Sequence, residues 1–210
     1  MTASATAHRA RIAHCVADPG ESGDASAVEQ FSDGVLVVED GRVSALGPAN
    51  ALLPTLGEDV ALVEHGDALI VPGLIDCHVH YPQLDVMGAY GLQLLDWLET
   101  YTYPAERRFA DAAFARAAAE RFLDALLANG TTTALVFATV HPASVEAFFE
   151  AAQARRLRMA AGKVLMDRHC PTDLSDTAVT GYRYSRAIME FWHGKDLLHF
   201  WLTTRFATAC

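Results

Sequence analysis

Residues 68–80 read ALIVPGLIDCHVH, an apolar run broken at Pro72-Gly73 and ending in two histidines one residue apart. Side chains i and i+2 of a strand point to the same face. His78 and His80 therefore project together, with Asp76 behind them, and Cys77 and Val79 face the opposite layer. Two neutral imidazoles side by side at a strand end can hold one divalent cation. In a barrel of parallel strands the C-terminal strand ends form the active face, and the pair stands at such an end.

Downstream of this motif, strand and helix patterns alternate. Residues 111–128 are Ala-, Arg- and Leu-rich with helical spacing, and Asn129-Gly130 follows as a stop signal. Thr131 to Thr139 is β-branched and apolar, which predicts a buried strand. Residues 144–156 and 180–192 read as helices, and 158–166 and 197–203 as strands. Repeated βα units imply a parallel sheet, either open and doubly wound or closed into a (β/α)8 barrel. Neither GxGxxG nor GxxxxGK occurs, which weakens a nucleotide-binding reading.

Upstream, Val35 to Glu39 and Arg42 to Leu46 flank Asp40-Gly41. That dipeptide between β-prone runs predicts a hairpin with both turn residues at positive φ. The chain thus divides into residues 1–67, a small β portion, and residues 68–210, the βα portion.

The 210 residues are 51% hydrophobic and 20% charged, the balance of a packed chain. Sixteen Lys and Arg stand against 26 Asp and Glu, a net charge of −10. A duplex-binding or anionic-membrane-binding surface needs the opposite sign, so neither nucleic acid nor membrane is an expected partner. The first twenty residues lack a signal-peptide apolar stretch. Cys15, Cys77, Cys170 and Cys210 form no CxxC pair, so reduced thiols in a cytoplasmic protein are the simplest reading.

A hydrolytic zinc commonly takes three protein ligands and water. His141, just beyond the second strand, and His199, inside the fourth, are weaker candidates for a further ligand. Trp97, Tyr101 and Tyr103 could pack beneath a loop or shape a pocket. Asp96 and Glu99 read as a solvated helix face.

The stretch PGLIDCHVH resembles the first-strand signature of the amidohydrolase superfamily. Tyr81-Pro82-Gln83, Leu94-Leu95-Asp96-Trp97-Leu98, Tyr101-Thr102-Tyr103-Pro104-Ala105-Glu106, Asn129-Gly130-Thr131-Thr132-Thr133, Phe137-Ala138-Thr139 and Gly162-Lys163-Val164-Leu165-Met166-Asp167 resemble the guanine deaminases within it. The resemblance implies an α/β fold, a (β/α)8 TIM-type barrel with a small β-sandwich. It implies hydrolysis of guanine to xanthine and ammonia with one zinc ion activating water. His78 and His80 would be metal ligands, and Gln83, Arg205 and Phe206 would contact the purine.

The chemistry suits those residue types. Guanine presents O6 and N7 as adjacent acceptors, which one guanidinium can engage. Phe206 could stack on the ring, and Gln83 offers a donor and an acceptor from one amide. Thr204 departs from the family pattern, which has proline there. Ala68 to Cys210 spans 143 residues, against about 250 for a whole barrel. About four of eight strands are therefore expected. No acid/base catalytic residue is identified within the chain, and the 210 residues alone should bind zinc weakly and not turn over guanine. Two other readings stay open: a non-catalytic half-barrel, and an amidohydrolase acting on a triazine, cytosine or adenosine-type substrate. Oligomeric state is not readable from these residues, and a homodimer remains open.

Overall fold

The structure, a computed structural model, describes residues 5–210, so the first four residues of the predicted N-terminal portion lie outside it. The chain forms two compact units, dividing after Pro72. In the first unit β1 (Thr6–Cys15), β2 (Val28–Glu39), β3 (Arg42–Pro48) and β4 (Ala61–Ile70) form one sheet in the order β3-β2-β1-β4. A short helix, α1 (Ala49–Leu52), follows β3. Asp40 and Gly41 join β2 to β3 at φ 51° and 74°, the positive values that the hairpin turn requires. Ala7, Val35, Val37 and Ala49 form this unit's small core. The predicted sandwich portion thus takes the form of a single four-stranded sheet among the described residues.

The division falls five residues later than the 67/68 boundary expected from the sequence. Ala68 to Ile70 continue β4, where Leu69 and Ile70 pair with Arg11 and Ile12 of β1. Pro72 removes a ladder donor and breaks the run, so the apolar stretch that looked like one strand serves two sheets.

The second unit begins with β5 (Leu74–His80). Two short helices follow, α2 (Leu94–Trp97) and α3 (Tyr103–Arg107), and then the long helix α4 (Ala112–Ala128). The remaining elements are β6 (Thr131–Phe137), α5 (Pro142–Ala154), β7 (Arg158–Gly162), β8 (Val164–Leu165), α6 (Ala178–Trp192), β9 (Leu198–Phe200) and β10 (Thr203–Thr204). Strands β5, β6, β7 and β9 form an all-parallel sheet in that order, and β8 pairs with β10 in a separate parallel ribbon. The predicted strands 158–166 and 197–203 each break in two. After Gly162 the chain leaves β7, and after Phe200 it leaves β9, so their continuations pair with each other.

Helix ends follow local chemistry. The Asp111 carboxylate accepts from the amides of Ala113 and Phe114 and caps α4. Gly130 ends that turn at φ 81°. Thr177 and Thr180 form a reciprocal capping box at the start of α6.

The helices bury one side of the sheet. Ala119, Phe122 and Leu123 of α4, Phe148 and Phe149 of α5, and Ile188 and Trp192 of α6 pack with Val136, Met159, Ala161, Leu198 and Phe200. Tyr81 is buried among them, stacked on Phe148, and donates its hydroxyl to the Ser144 carbonyl at 2.6 Å. Burial pushes that phenol far above its ordinary range.

Gly162 lies where the two ribbons part. A Cβ there would overlap the Trp201 carbonyl oxygen and come within 2.9 Å of Thr203 Oγ1. The nearest atoms belong to the Trp201 backbone, which leaves little room to relax. Gly162→Ala is therefore expected to cost about 3 kcal/mol or more, read as a lowered urea midpoint. A variant as stable as the parent would show that β7 and β9 separate with more slack than described.

Candidate functional site

The C-terminal end of β5 carries an irregularity. Pairing with β6 runs Asp76–Ala134, then Val79–Val136, so three steps on β5 match two on β6. The Asp76 carboxylate accepts from the His78 backbone amide at 3.0 Å. Asp76 thus holds the bulge through the backbone, where the strand pattern placed it behind the imidazoles. Bulges re-aim side chains beside functional sites. Val79 packs against the helix-side core, while Cys77 is exposed on the edge strand.

The bulge brings His78 Nε2 and His80 Nε2 to 3.1 Å from each other. Two nitrogens on one tetrahedral zinc, each at about 2.0–2.1 Å, stand about 3.3 Å apart. The pair therefore fits a shared metal. Phe137, at the end of β6, lies with its ring centroid 4.7 Å from both imidazoles and fixes their tilt. Burial, Arg205 and His78 together push His80 down to about 4, so it is neutral near pH 7, the form that ligates metal. Its Nδ1 is buried without a hydrogen-bond partner.

Among the described residues no group of three or more His, Cys, Asp or Glu could hold a metal. His141 stands at the N-terminal end of α5 without a side-chain capping bond, and burial next to Lys163 lowers its pKa. His199 stays within β9 and meets His193 edge to face at 5.6 Å. Neither completes the site.

Arg205 is anchored by its backbone, whose amide donates to the Leu165 carbonyl at 3.1 Å. Thr204, β-branched, belongs to β10 and pairs with Leu165, so the residue before Arg205 is held in an extended ribbon without proline. The Arg205 guanidinium is almost wholly buried, and its Nη1 donates to Glu106 Oε1 at 2.5 Å. It also lies over the Tyr103 ring at 5.9 Å. Glu106 has no solvent exposure, and burial pushes its carboxyl up while Arg205 opposes the rise.

Gln83 is half-buried on the 3-10 turn Tyr81–Val86 that leaves β5. Phe206, beyond Arg205, is 38% exposed on extended backbone. Arg205 lies close enough to His80 for its charge to disfavour protonation of that imidazole, whereas Gln83 and Phe206 make no hydrogen bond or ring stack that fixes them to the others. Tyr103 and, half-buried, Trp97 pack in an apolar cluster with Leu98, Val140, Val164 and Met166. Asp96 and Glu99 are exposed. A separate apolar cavity of about 540 Å³ lies along α6 and the β8–β10 ribbon, and none of the five predicted site residues lines it.

The profile of the Amidohydrolase family matches residues 69–210, the βα unit and the His78–His80 pair included. The chain belongs to the amidohydrolase family. It is similar to the guanine deaminase of Escherichia coli, 46% identical over 183 residues, covering 87% of this chain and 42% of that protein. It is also 39% identical to a probable guanine deaminase of Deinococcus radiodurans, over 95% of this chain and 46% of that one. A solved guanine deaminase from Bradyrhizobium japonicum superimposes with a TM-score of 0.92 at 38% identity, over 99% of this chain and 45% of that one. The chain spans about half the length of the relatives it matches.

Two buried charges of this amidohydrolase were not singled out from the sequence. Glu106 and Lys163 both fall within stretches that carry the family resemblance, but no role was read for either. Lys163, fully buried, pairs with Asp176 and donates to the Val164 carbonyl at 3.1 Å; burial pushes it down to about 8. A charge that breaks a β-prone run, as Lys163 does between Gly162 and Val164, was the available signal.

Proposed function

We propose that this chain supplies the first part of the active site of a zinc-dependent guanine deaminase, an enzyme that hydrolyses guanine to xanthine and ammonia. The observation that carries the reading is the His78–His80 pair at the end of a parallel strand, with the buried Arg205 near enough to disfavour charge on His80. Likeness to guanine deaminases over nearly the whole chain supports the choice of substrate. The four parallel strands are then the opening arc of a (β/α)8 barrel, and the N-terminal sheet is part of a β-sandwich.

His78 and His80, whose Nε2 atoms face each other, would hold the metal. When bound there, zinc supplies a nucleophile by acidifying water. Arg205 donates to acceptors on the purine, Phe206 covers a ring face and Gln83 contacts the base close to the metal. Neutralising Arg205 by Glu106 keeps the metal's surroundings from becoming uniformly cationic. Two histidines are fewer than the three protein ligands a hydrolytic zinc usually takes. The 210 residues by themselves are accordingly expected to bind zinc weakly and to release no ammonia from guanine. A cytoplasmic location accords with four free cysteines. Among the described residues no helix is long and apolar enough to cross a membrane.

The test is ammonia release by the protein purified at its natural full length, with guanine, cytosine, adenosine and an aminotriazine offered in turn. Turnover of guanine at least about a hundredfold faster than the others is expected, because a site built to hydrogen-bond a group rejects analogues lacking it. Preference for another of these substrates would overturn the guanine assignment while leaving the family intact.

A further inference from the structure

Arg205 is held from one side by a single short helix. Tyr103 and Glu106 are three residues apart on α3, the spacing that places side chains on one helix face. Tyr103 offers its ring to the guanidinium and Glu106 its carboxylate. Both charged groups are more than nine-tenths buried. Glu106 Oε1 meets Arg205 alone, and Oε2 has no hydrogen-bond partner. The carboxylate's only hydrogen bond goes to Arg205. Whatever Glu106 does, it does through that side chain.

We propose that Glu106 is a positioning residue that fixes the Arg205 guanidinium toward an acceptor on the substrate, so that preference for a 6-oxopurine depends on Glu106. The inference rests on the guanine reading of the site. An arginine has five N–H donors in a rigid planar fork. Occupying Nη1 from α3, with the Leu165 carbonyl holding the backbone and the Tyr103 ring centroid 5.9 Å from the guanidinium carbon, restricts its rotation. The remaining donors then meet the ligand pre-oriented, which is how a positioned group gains selectivity without touching the substrate.

The test is calorimetric binding of hypoxanthine and of unsubstituted purine to the natural-length holoenzyme. Neither ligand has an amino group to lose, and only hypoxanthine carries the 6-oxo acceptor. The parent is expected to bind hypoxanthine more tightly. Glu106→Gln should weaken hypoxanthine at least about tenfold and change purine less than about twofold. In an Arg205→Gln background the same change should add nothing. Glu106→Asp keeps the charge with a shorter reach and should lose less than Glu106→Gln; it carries the test should the glutamine variant not fold. Equal weakening of both ligands, or no weakening of hypoxanthine, would overturn the positioning role alone. A parent that binds neither ligand would overturn the guanine reading and this inference together.

Discussion

His80→Ala is expected to lower zinc affinity at least about a hundredfold in the natural-length protein, measured by competition with a chromophoric chelator. The imidazole is neutral because it is buried beside a cation, and its Nε2 lies 3.1 Å from that of His78. Chelation by two nitrogens held at that spacing is lost when either is removed. Outer-shell changes alone typically cost 10–100-fold in metal affinity, so loss of a direct ligand should cost more. Retained affinity in His80→Ala with an unchanged melting temperature would mean that the 3.1 Å contact is an ordinary imidazole–imidazole hydrogen bond. Phe137 offers a control: Phe137→Leu removes the ring against both histidines and leaves their nitrogens in place, so its effect should be much smaller.

Arg205→Gln is expected to reduce kcat/KM for guanine by about 10²–10⁴, and to destabilise the fold as well. Both effects come from one geometry. The substitution removes the donor fork proposed to read the purine, and it strands Glu106, fully buried, without a counter-charge. Breaking a buried pair by removing one member typically costs about 3–5 kcal/mol. Substituting Glu106 and Arg205 together by glutamine should recover much of the stability and none of the activity. Recovery of activity in the double variant would show that Arg205 has no role at the substrate. The two readouts, denaturant midpoint and guanine turnover, separate the structural half of the prediction from the functional half.

The βα alternation was legible because each element is locally consistent. Helix α4 has an aspartate cap, a long Ala- and Leu-rich body and a glycine stop; β6 has a run of β-branched residues. The His-x-His pair was legible because a two-residue period decides which side chains share a face. The strand breaks were harder. Val71 to Gly73 and Gly162-Lys163 each interrupt an apolar run that continues in a different sheet, and apolarity does not say which neighbour a strand will pair with. The bond from the His78 amide to Asp76 was not legible for a related reason, since the bulge presents that amide to the carboxylate. Glu106 was hidden more deeply. Its partner is 99 residues away in sequence, and nothing local distinguishes a carboxylate that will be buried against an arginine from one that faces water.

The most direct measurement is guanine turnover by the natural-length protein after its metal is stripped with a chelator and then restored with zinc. Ammonia and xanthine should form in equal amounts, vanish on stripping and return as one zinc per active site is added, and neither His78→Ala nor His80→Ala should regain activity. Guanine turnover that persists in the stripped protein, or in the variant lacking both histidines, would contradict the account at its centre.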